Sequence, residues 1–118
     1  MQSAQPGGGV WLQEELVKLI EIADRNGVTI ISDEIHADII YKGHSFIGLS
    51  SVDGDKHVSV ISSPAKTFGL ESISNGYIYT KNNDIFQRMK HIEDSMYQGH
   101  SNAFTTFATI AAYENGDA

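Results

Sequence analysis

The chain of 118 residues contains no cysteine and only two prolines. The absence of cysteine excludes disulfides and thiolate metal sites and is compatible with a reducing cytoplasmic setting. Basic residues are also few, since 8 Lys and Arg stand against 15 Asp and Glu and the formal net charge is -7. This balance argues against binding to nucleic acid or to an anionic membrane surface, because both need a basic patch.

Long apolar runs are absent as well. No stretch approaches the roughly 20 residues of a membrane-spanning helix, and the N-terminus lacks the basic start and apolar block of a signal peptide. We therefore expect a soluble, cytoplasmic protein. With 118 residues, it forms one domain at most, long enough to bury a core but short for an enzyme that must also enclose a substrate.

The beginning of the chain predicts a loop followed by a helix. Residues 1–9, MQSAQPGGG, are loop material, because three glycines after a proline do not hold a regular element. From Leu12 the pattern becomes helical, and Asn26 and Gly27 supply a helix stop. The apolar residues at helical spacing are Leu16, Leu19, Ile20 and Ala23.

Three β-branched or aromatic runs predict strands. VTIIS, residues 28–32, is apolar on both faces, which suits a strand buried between layers, and HVSVISS, residues 57–63, is a second such run. Residues 34–56 between them are long enough for the crossover of a parallel pair, which needs about a dozen residues. GYIYT, residues 76–80, follows after a connection that is marginal for a crossover, so it is either an antiparallel strand or a strand whose direction the sequence does not specify.

Two helices are predicted after the strands. Asn82 or Asn83 caps the first, Gly99 ends it, and Ser101 caps the second. The apolar faces of these helices comprise Ile85, Met89, Ile92 and Met96 in the first, and Phe104, Phe107, Ala108 and Ala111 in the second. The predicted fold class is α/β, with a mainly parallel sheet and flanking helices.

Reactive side chains follow the first two predicted strands. Asp33 and His36 come directly after VTIIS, and SSPAKTFGL, residues 62–70, contains Ser63 and Lys66 after HVSVI. In an open α/β sheet, ligands bind beyond the carboxyl ends of the strands. If the two strands are parallel neighbours, Asp33 and Lys66 therefore face the same crevice.

Each of these residues has an ordinary alternative. Lys66 is either a solvated loop charge or a partly desolvated amine that forms a Schiff base. Asp33 either has a functional role at the sheet edge or is simply a helix cap or turn residue. Metal-ligating side chains are also present at His36, Asp33 and Asp38. However, all three come from one short segment and HExxH is absent, so we expect no metal.

A serine three positions before a lysine also matches S-x-x-K, the nucleophile motif of penicillin-binding enzymes. Those enzymes carry S-D-N and K-T-G after it, whereas here Ser32, Asp33 and Glu34 precede Ser63, and Phe68 replaces the glycine. Acyl transfer is therefore not expected.

The two segments SDEIHADIIYKGH, residues 32–44, and SSPAKTFGL, residues 62–70, together resemble the large domain of fold-type I pyridoxal phosphate enzymes, the aminotransferase class I and II family. The D-E-I-H-x-D pattern with its trailing G-H is similar to the cystathionine β-lyase subgroup of carbon-sulfur lyases. The resemblance runs from about Gln5 to the end of the chain. It implies that residues 1–118 are part of a cofactor-binding large domain, without its N-terminal part or the small domain.

The resemblance implies a role for each site residue. Lys66 would hold pyridoxal 5'-phosphate as a Schiff base and move the substrate's α proton. Asp33 would pair with the pyridine nitrogen, His36 would lie where many aminotransferases carry a tyrosine near the phenolic oxygen, and Ser63 would hydrogen-bond the phosphate. Gln5 stands where the family has an asparagine that contacts the phenolic oxygen.

The resemblance also implies a function, with exceptions. The implied activity is that of a carbon-sulfur β-lyase for cystathionine-like amino acids or of an aminotransferase, in a homodimer. Ser74 stands where typical aminotransferases have a phosphate-binding arginine, and the family's upstream phosphate loop and downstream carboxylate-binding arginine have no counterpart. The alternative function class is a catalytically incompetent remnant that acts through self-association or a partner.

Overall fold

The computed structural model describes residues 11–52, 55–73, 75–99 and 102–116. The loop predicted for residues 1–9 lies outside these ranges. Within them, a three-stranded sheet combines with helices. In chain order the elements are α1 (Gln13–Asn26), β1 (Ile30–Asp33), β2 (Val58–Ser62), α2 (Ala65–Phe68), β3 (Tyr77–Thr80), α3 (Asn83–Met96) and α4 (Ala103–Asn115), with 3-10 helices at Leu49–Ser51 and Asp55–His57.

The sheet has the strand order β1-β2-β3. β1 pairs with β2 in parallel, with Asp33 opposite Ile61, and β2 pairs with β3 in antiparallel, with Ile61 opposite Ile78. The parallel pair expected for the first two strands is therefore confirmed, as is the α/β class, and of the two alternatives for the third strand the structure shows the antiparallel one. The part of the sheet that the structure describes is mixed rather than mainly parallel, because its third strand is antiparallel.

Helix α1 forms as its sequence pattern predicts. At its start the backbone amide of Leu12 donates to the carboxylate of Glu15 at 2.8 Å, which satisfies one of the amides that a helix N-terminus leaves unpaired. At its end Gly27 adopts a left-handed conformation with φ of 62°, which glycine accepts without steric cost. Residues Leu16, Ile20 and Ala23 of the predicted face are buried.

The core lies on one face of the sheet. There, α1 and the chain around the first 3-10 helix cover β2. The core residues are Leu16, Ile20, Leu49, Val52, Val58 and Val60. Burial of these side chains stabilises the fold by about 25 cal/mol for each Å² of apolar surface removed from water.

On the opposite face of the sheet, three isoleucines are exposed although Ser59 between them is buried. Ile31, Ile61 and Ile78 share this face through the strand register, and their exposed fractions are 66%, 37% and 49%. The prediction that the first strand is buried between layers is therefore wrong for Ile31. The core side chains of α1 and of the segment around Leu49 pack with Val58 and Val60 on the other face.

Helix α3 begins at a predicted cap but ends earlier than expected. The side chain of Asn82 accepts the Ile85 amide at 3.1 Å. The helix stops at Met96, where Tyr97 adopts a left-handed φ of 52°, so the predicted break at Gly99 is wrong by a few positions. The predicted apolar face is only partly covered, since Ile92 is 53% exposed.

Helix α4 has a different cap from the predicted one. Asn102 accepts the Thr105 amide at 2.9 Å, which makes Asn102 the cap in place of Ser101. Both residue types cap helices well, and the side chain one position closer to the first turn fills the role here. Among the described residues, no helix is both long enough and apolar enough to cross a membrane.

Candidate active site

The two reactive segments lie at the same edge of the sheet. Asp33 is the last residue of β1, and Lys66 lies in α2, shortly after β2 ends at Ser62. Because β1 and β2 are parallel neighbours, their carboxyl ends meet at one edge, where open α/β sheets bind ligands.

Within the described residues, hydrogen bonds also join the chain after β1 to β2 and to the segment that follows β2. The Glu34 amide donates to the Ile61 carbonyl at 2.8 Å, and the Ser62 hydroxyl donates to the Glu34 carbonyl at 3.4 Å. Farther along, the Thr67 hydroxyl donates to the Asp38 carboxylate at 2.9 Å. The residue next to Lys66 is thus bonded directly to the turn that follows Asp33.

Asp33 is exposed at the end of β1 and lies on the same sheet face as Ile31 and Ile61. Its Oδ1 atom accepts the Ile35 amide at 3.2 Å, as in an Asx turn. The local turn role considered in the sequence analysis is therefore present. That role engages one carboxylate oxygen and is compatible with a ligand at the other.

His36 lies in the turn after Asp33 and is half-buried. Its carbonyl accepts the Ile39 amide at 3.1 Å, so the turn is hydrogen-bonded at this point. In the described ranges, no three His, Asp or Glu side chains are grouped closely enough to hold a metal ion.

Ser63 is 8% exposed and is already hydrogen-bonded. Its hydroxyl donates to the Asn75 carbonyl and accepts the Ala65 amide, the latter at 3.1 Å. A serine hydroxyl has one proton and two acceptor lone pairs. Donation from Ser63 to a phosphate oxygen therefore requires its proton to leave the Asn75 carbonyl.

Lys66 is accessible from solvent, with 40% of its side chain exposed. Its Nζ atom lies 3.6 Å from the Glu71 carboxylate. The helical turn that carries it ends at Gly69, whose φ of 67° is left-handed. The sequence analysis missed the pairing with Glu71, because no pattern in the sequence specifies where a loop carboxylate will point.

Helix α4 packs behind the single helical turn Ala65–Phe68, called the Lys66 turn below. The rings of Phe68 and Tyr113 meet edge to face with centroids 5.4 Å apart, and the amide of Asn75 donates to the Thr109 hydroxyl. Burial raises the pKa of Tyr113 above its usual 10.0, with further upward contributions from a hydrogen-bonded Tyr77 and from the negative charge of Asp38.

Two concave surfaces of the described residues lie away from the predicted site. One, of about 750 Å³, runs along α1 and is lined by residues such as Leu12 and Arg25. Another of about 520 Å³ lies between Thr67–Leu70 and the second half of α4. Neither of these two surfaces includes Asp33, Ser63 or Lys66. Gln5 and Ser74 lie outside the described residues.

Comparisons with known proteins agree with this geometry. The sequence model of the family "Aminotransferase class I and II" matches residues 4–117. Cystathionine beta-lyase PatB of Bacillus subtilis (strain 168) is 35% identical over 115 residues, which cover 94% of this chain and 29% of that protein. The chain therefore spans less than a third of the length of this relative.

Solved structures give the same result. A PLP-bound putative aminotransferase from Clostridium difficile 630 superposes with a TM-score of 0.90 at 33% identity, over 96% of this chain and 30% of that one. A PLP-bound C-S lyase from Staphylococcus hominis gives a TM-score of 0.87 at 32% identity, over 98% and 29%. The family expected from the two sequence segments is confirmed, and this chain belongs to the aminotransferase class I and II family.

Proposed function

We propose that this chain forms the cofactor-anchoring part of a pyridoxal phosphate-dependent enzyme, a carbon-sulfur β-lyase acting on cystathionine-like amino acids. An aminotransferase is the second reaction compatible with the same residues. The observation that carries the proposal is the location of Asp33 and Lys66 after the carboxyl ends of neighbouring parallel strands.

The available side chains suit the chemical groups of pyridoxal phosphate. A primary amine at Lys66 matches an aldehyde, a carboxylate at Asp33 matches a protonated ring nitrogen, and a hydroxyl at Ser63 matches a phosphate oxygen. Lys66 and Asp33 are both exposed, so a ligand at the sheet edge can reach them. Ser63 must redirect its proton from the Asn75 carbonyl.

Lys66 would have two tasks. Its amine would attach the cofactor covalently and, once the substrate's amine displaces it, would take and return the proton on the substrate's α carbon. When bound, pyridoxal phosphate supplies an electron-withdrawing ring that stabilises negative charge on that carbon. Asp33 would keep the ring nitrogen protonated, since an opposite charge within hydrogen-bonding range favours the protonated form by about 1 to 3 pKa units.

His36, Ser63 and Gln5 would orient the cofactor. The half-buried position of His36 in the turn after Asp33 supports a contact with the cofactor's phenolic oxygen. Ser63 would bind the phosphate, and Gln5 would contact the phenolic oxygen from the N-terminal segment. Gln5 has one methylene more than the asparagine of the family, so its amide would reach farther.

Two comparisons support the lyase over the aminotransferase, since PatB is named a cystathionine beta-lyase and the Staphylococcus hominis structure a C-S lyase. The other structural relative is described as a putative aminotransferase, which keeps transamination as the second reaction. The substrate in either case is a small amino acid, and the working unit is a homodimer.

Reductive trapping tests the proposal directly. The protein is mixed with pyridoxal phosphate and reduced with borohydride, and the modified peptide is identified by mass. We expect modification at Lys66 that is lost in Lys66→Ala. Equal labelling of Lys18, Lys42 and the other lysines would refute the site. For the reaction, cystathionine would yield pyruvate and a thiol if the chain supports the lyase, and a keto acid that retains sulfur if it supports transamination.

A second function, self-association of a catalytically incompetent chain, is favoured by one observation. Ile31, Ile61 and Ile78 are exposed apolar side chains on one face of the sheet, and exposed apolar patches often mark interaction sites. Sedimentation should then show concentration-dependent association that Ile31→Lys weakens and Ile92→Lys, on α3, leaves intact. Specific trapping at Lys66, in a chain whose association Ile31→Lys does not weaken, would exclude this function.

A further inference from the structure

The turn that carries Lys66 is short and makes few bonds of its own. α2 has one helical turn, Ala65–Phe68, and none of its residues is buried. The Phe68 amide donates to the Pro64 carbonyl at 3.0 Å, and the Leu70 amide donates to the Ala65 carbonyl at 2.9 Å. A single turn of this kind is not stable alone, so contacts from elsewhere in the chain must hold it in place.

Asp38 supplies such a contact across the sheet edge. Its Oδ2 atom accepts the Thr67 hydroxyl at 2.9 Å, although the two residues are 29 positions apart. Hydrogen bonds to a charged acceptor are stronger than those between neutral groups. This bond joins the residue after Lys66 to the turn that begins at Asp33.

We propose that Asp38 is a positioning residue, which through Thr67 holds the Lys66 turn at a fixed distance from Asp33. The inference deepens the proposed function and rests on it for the role of Lys66. Small displacements of a reacting group cost large factors in rate, so a cofactor that must meet both Asp33 and Lys66 needs the two segments fixed relative to each other.

The environment of Asp38 supports this role. Its negative charge acts on Tyr113 of α4, which is hydrogen-bonded to Tyr77 at the start of β3. The ring of Tyr113 in turn packs against Phe68 on the Lys66 turn. Asp38 is therefore near α4, the helix that packs behind this turn.

Two pairs of variants test the proposal. Asp38→Ala and Thr67→Val remove the bond, whereas Asp38→Asn and Thr67→Ser keep an acceptor and a donor. Asp94→Ala is the matched control, because it removes an exposed carboxylate that pairs with Lys90 at 2.9 Å on α3. Melting temperature is measured for each variant to verify folding.

The first readout is the rate of borohydride-trapped labelling of Lys66 by pyridoxal phosphate. We expect a loss of about fivefold or more in Asp38→Ala and in Thr67→Val, which is the size of one net hydrogen bond. Thr67→Ser and Asp38→Asn should retain most of the wild-type rate. The double variant Asp38→Ala/Thr67→Val should be labelled no more slowly than either single variant, because each single substitution already removes the same hydrogen bond.

The second readout needs no cofactor. Hydrogen exchange at the Phe68 and Leu70 amides should accelerate by about fivefold or more in the two disruptive variants, and not in Asp94→Ala. Unchanged exchange at both amides would overturn the proposal, even if labelling fell, because Asp38 would then act in some other way. Faster exchange with unchanged labelling would overturn it as well.

The two readouts separate this proposal from the proposed function. If the wild-type chain is not labelled specifically at Lys66, the proposed function fails. In that case hydrogen exchange still decides whether Asp38 holds the turn. If wild type is labelled and all four variants match it in both readouts, the proposed function stands and the role of Asp38 is refuted.

Discussion

Lys66 and Glu71 form an ion pair across the end of α2, with Nζ 3.6 Å from the carboxylate. The pair is exposed, with 40% and 53% of the two side chains accessible, so it contributes little to stability. The ion pair instead affects the reactivity of the Lys66 amine. The amine must leave Glu71 before it can attack an aldehyde, and the free energy of the ion pair therefore adds to the barrier of that step.

We predict that Glu71→Gln increases the rate of Lys66 labelling by about 1.4- to 5-fold. This range corresponds to the roughly 0.2–1 kcal/mol of an exposed ion pair. The melting temperature should hardly change. Glu93→Gln is the control, since Glu93 pairs with Lys90 on α3 at 3.2 Å and its loss should not alter labelling. A slower reaction in Glu71→Gln would mean that Glu71 assists the amine.

The task of Asp33 is electronic in our proposal, which predicts a separation between two measurements. Asp33→Asn should lower the exchange of a substrate's α hydrogen with deuterated water by about 10- to 1000-fold, because the ring nitrogen loses a stabilisation of about 1 to 3 pKa units. Borohydride-trapped labelling of Lys66 should fall far less.

The two rates are compared in the same preparation, by NMR for exchange and by peptide mass for labelling. Asp84→Asn, in the first turn of α3, serves as the control and should change neither rate. Equal losses of exchange and labelling in Asp33→Asn would assign Asp33 to cofactor binding alone.

The sequence predicted the strand ends well and the contacts between them poorly. The β-branched runs and the crossover length were enough to place Asp33 and Lys66 at one sheet edge. Local patterns do not encode which side chains meet across that edge. The bond between Thr67 and Asp38 depends on residues 29 positions apart, and Asp38 entered the sequence analysis only as a metal-ligating group and as the last position of the D-E-I-H-x-D pattern.

The exposure of individual strand side chains to solvent could not be predicted from the sequence either. An apolar run such as VTIIS predicts burial on both faces, whereas Ile31 is 66% exposed. What covers each face of a sheet is decided by the tertiary arrangement of other segments, and local composition carries no information about it.

Tyr113 provides a pH-dependent test of the contacts behind the Lys66 turn. Burial, Tyr77 and Asp38 raise its pKa above 10.0, so the fold favours the protonated phenol. Its contribution to stability is present below pH 10.0 and is lost as the pH rises through the raised pKa. The ultraviolet difference titration between wild type and Tyr113→Phe should therefore show a phenol that ionises above 10.0.

Asp38→Asn should lower the pKa of Tyr113, because it removes a negative charge that disfavours the phenolate. Asp94→Asn, on α3, is the control for loss of one carboxylate and should leave the Tyr113 titration unchanged. An unaltered titration in Asp38→Asn would show that the carboxylate lies too far from Tyr113 to act on it.

Gly116 follows the last residue of α4 and lies against the Phe68 ring of the Lys66 turn. A Cβ atom at this position would collide with the Phe68 ring and the Ala112 carbonyl. We predict that Gly116→Ala destabilises the protein by about 1–3 kcal/mol, the usual cost of overpacking, as measured by chemical denaturation.

Gly76→Ala is the matched control, because a Cβ there would meet its nearest neighbour, the Ser62 carbonyl, at an ordinary 3.6 Å. If Gly116→Ala also moves Phe68, the hydrogen exchange of the Phe68 and Leu70 amides should accelerate together with the loss of stability. An unchanged free energy of unfolding in Gly116→Ala would mean that the Phe68 ring can rotate away freely. The contact between Gly116 and Phe68 would then not fix the position of the Lys66 turn.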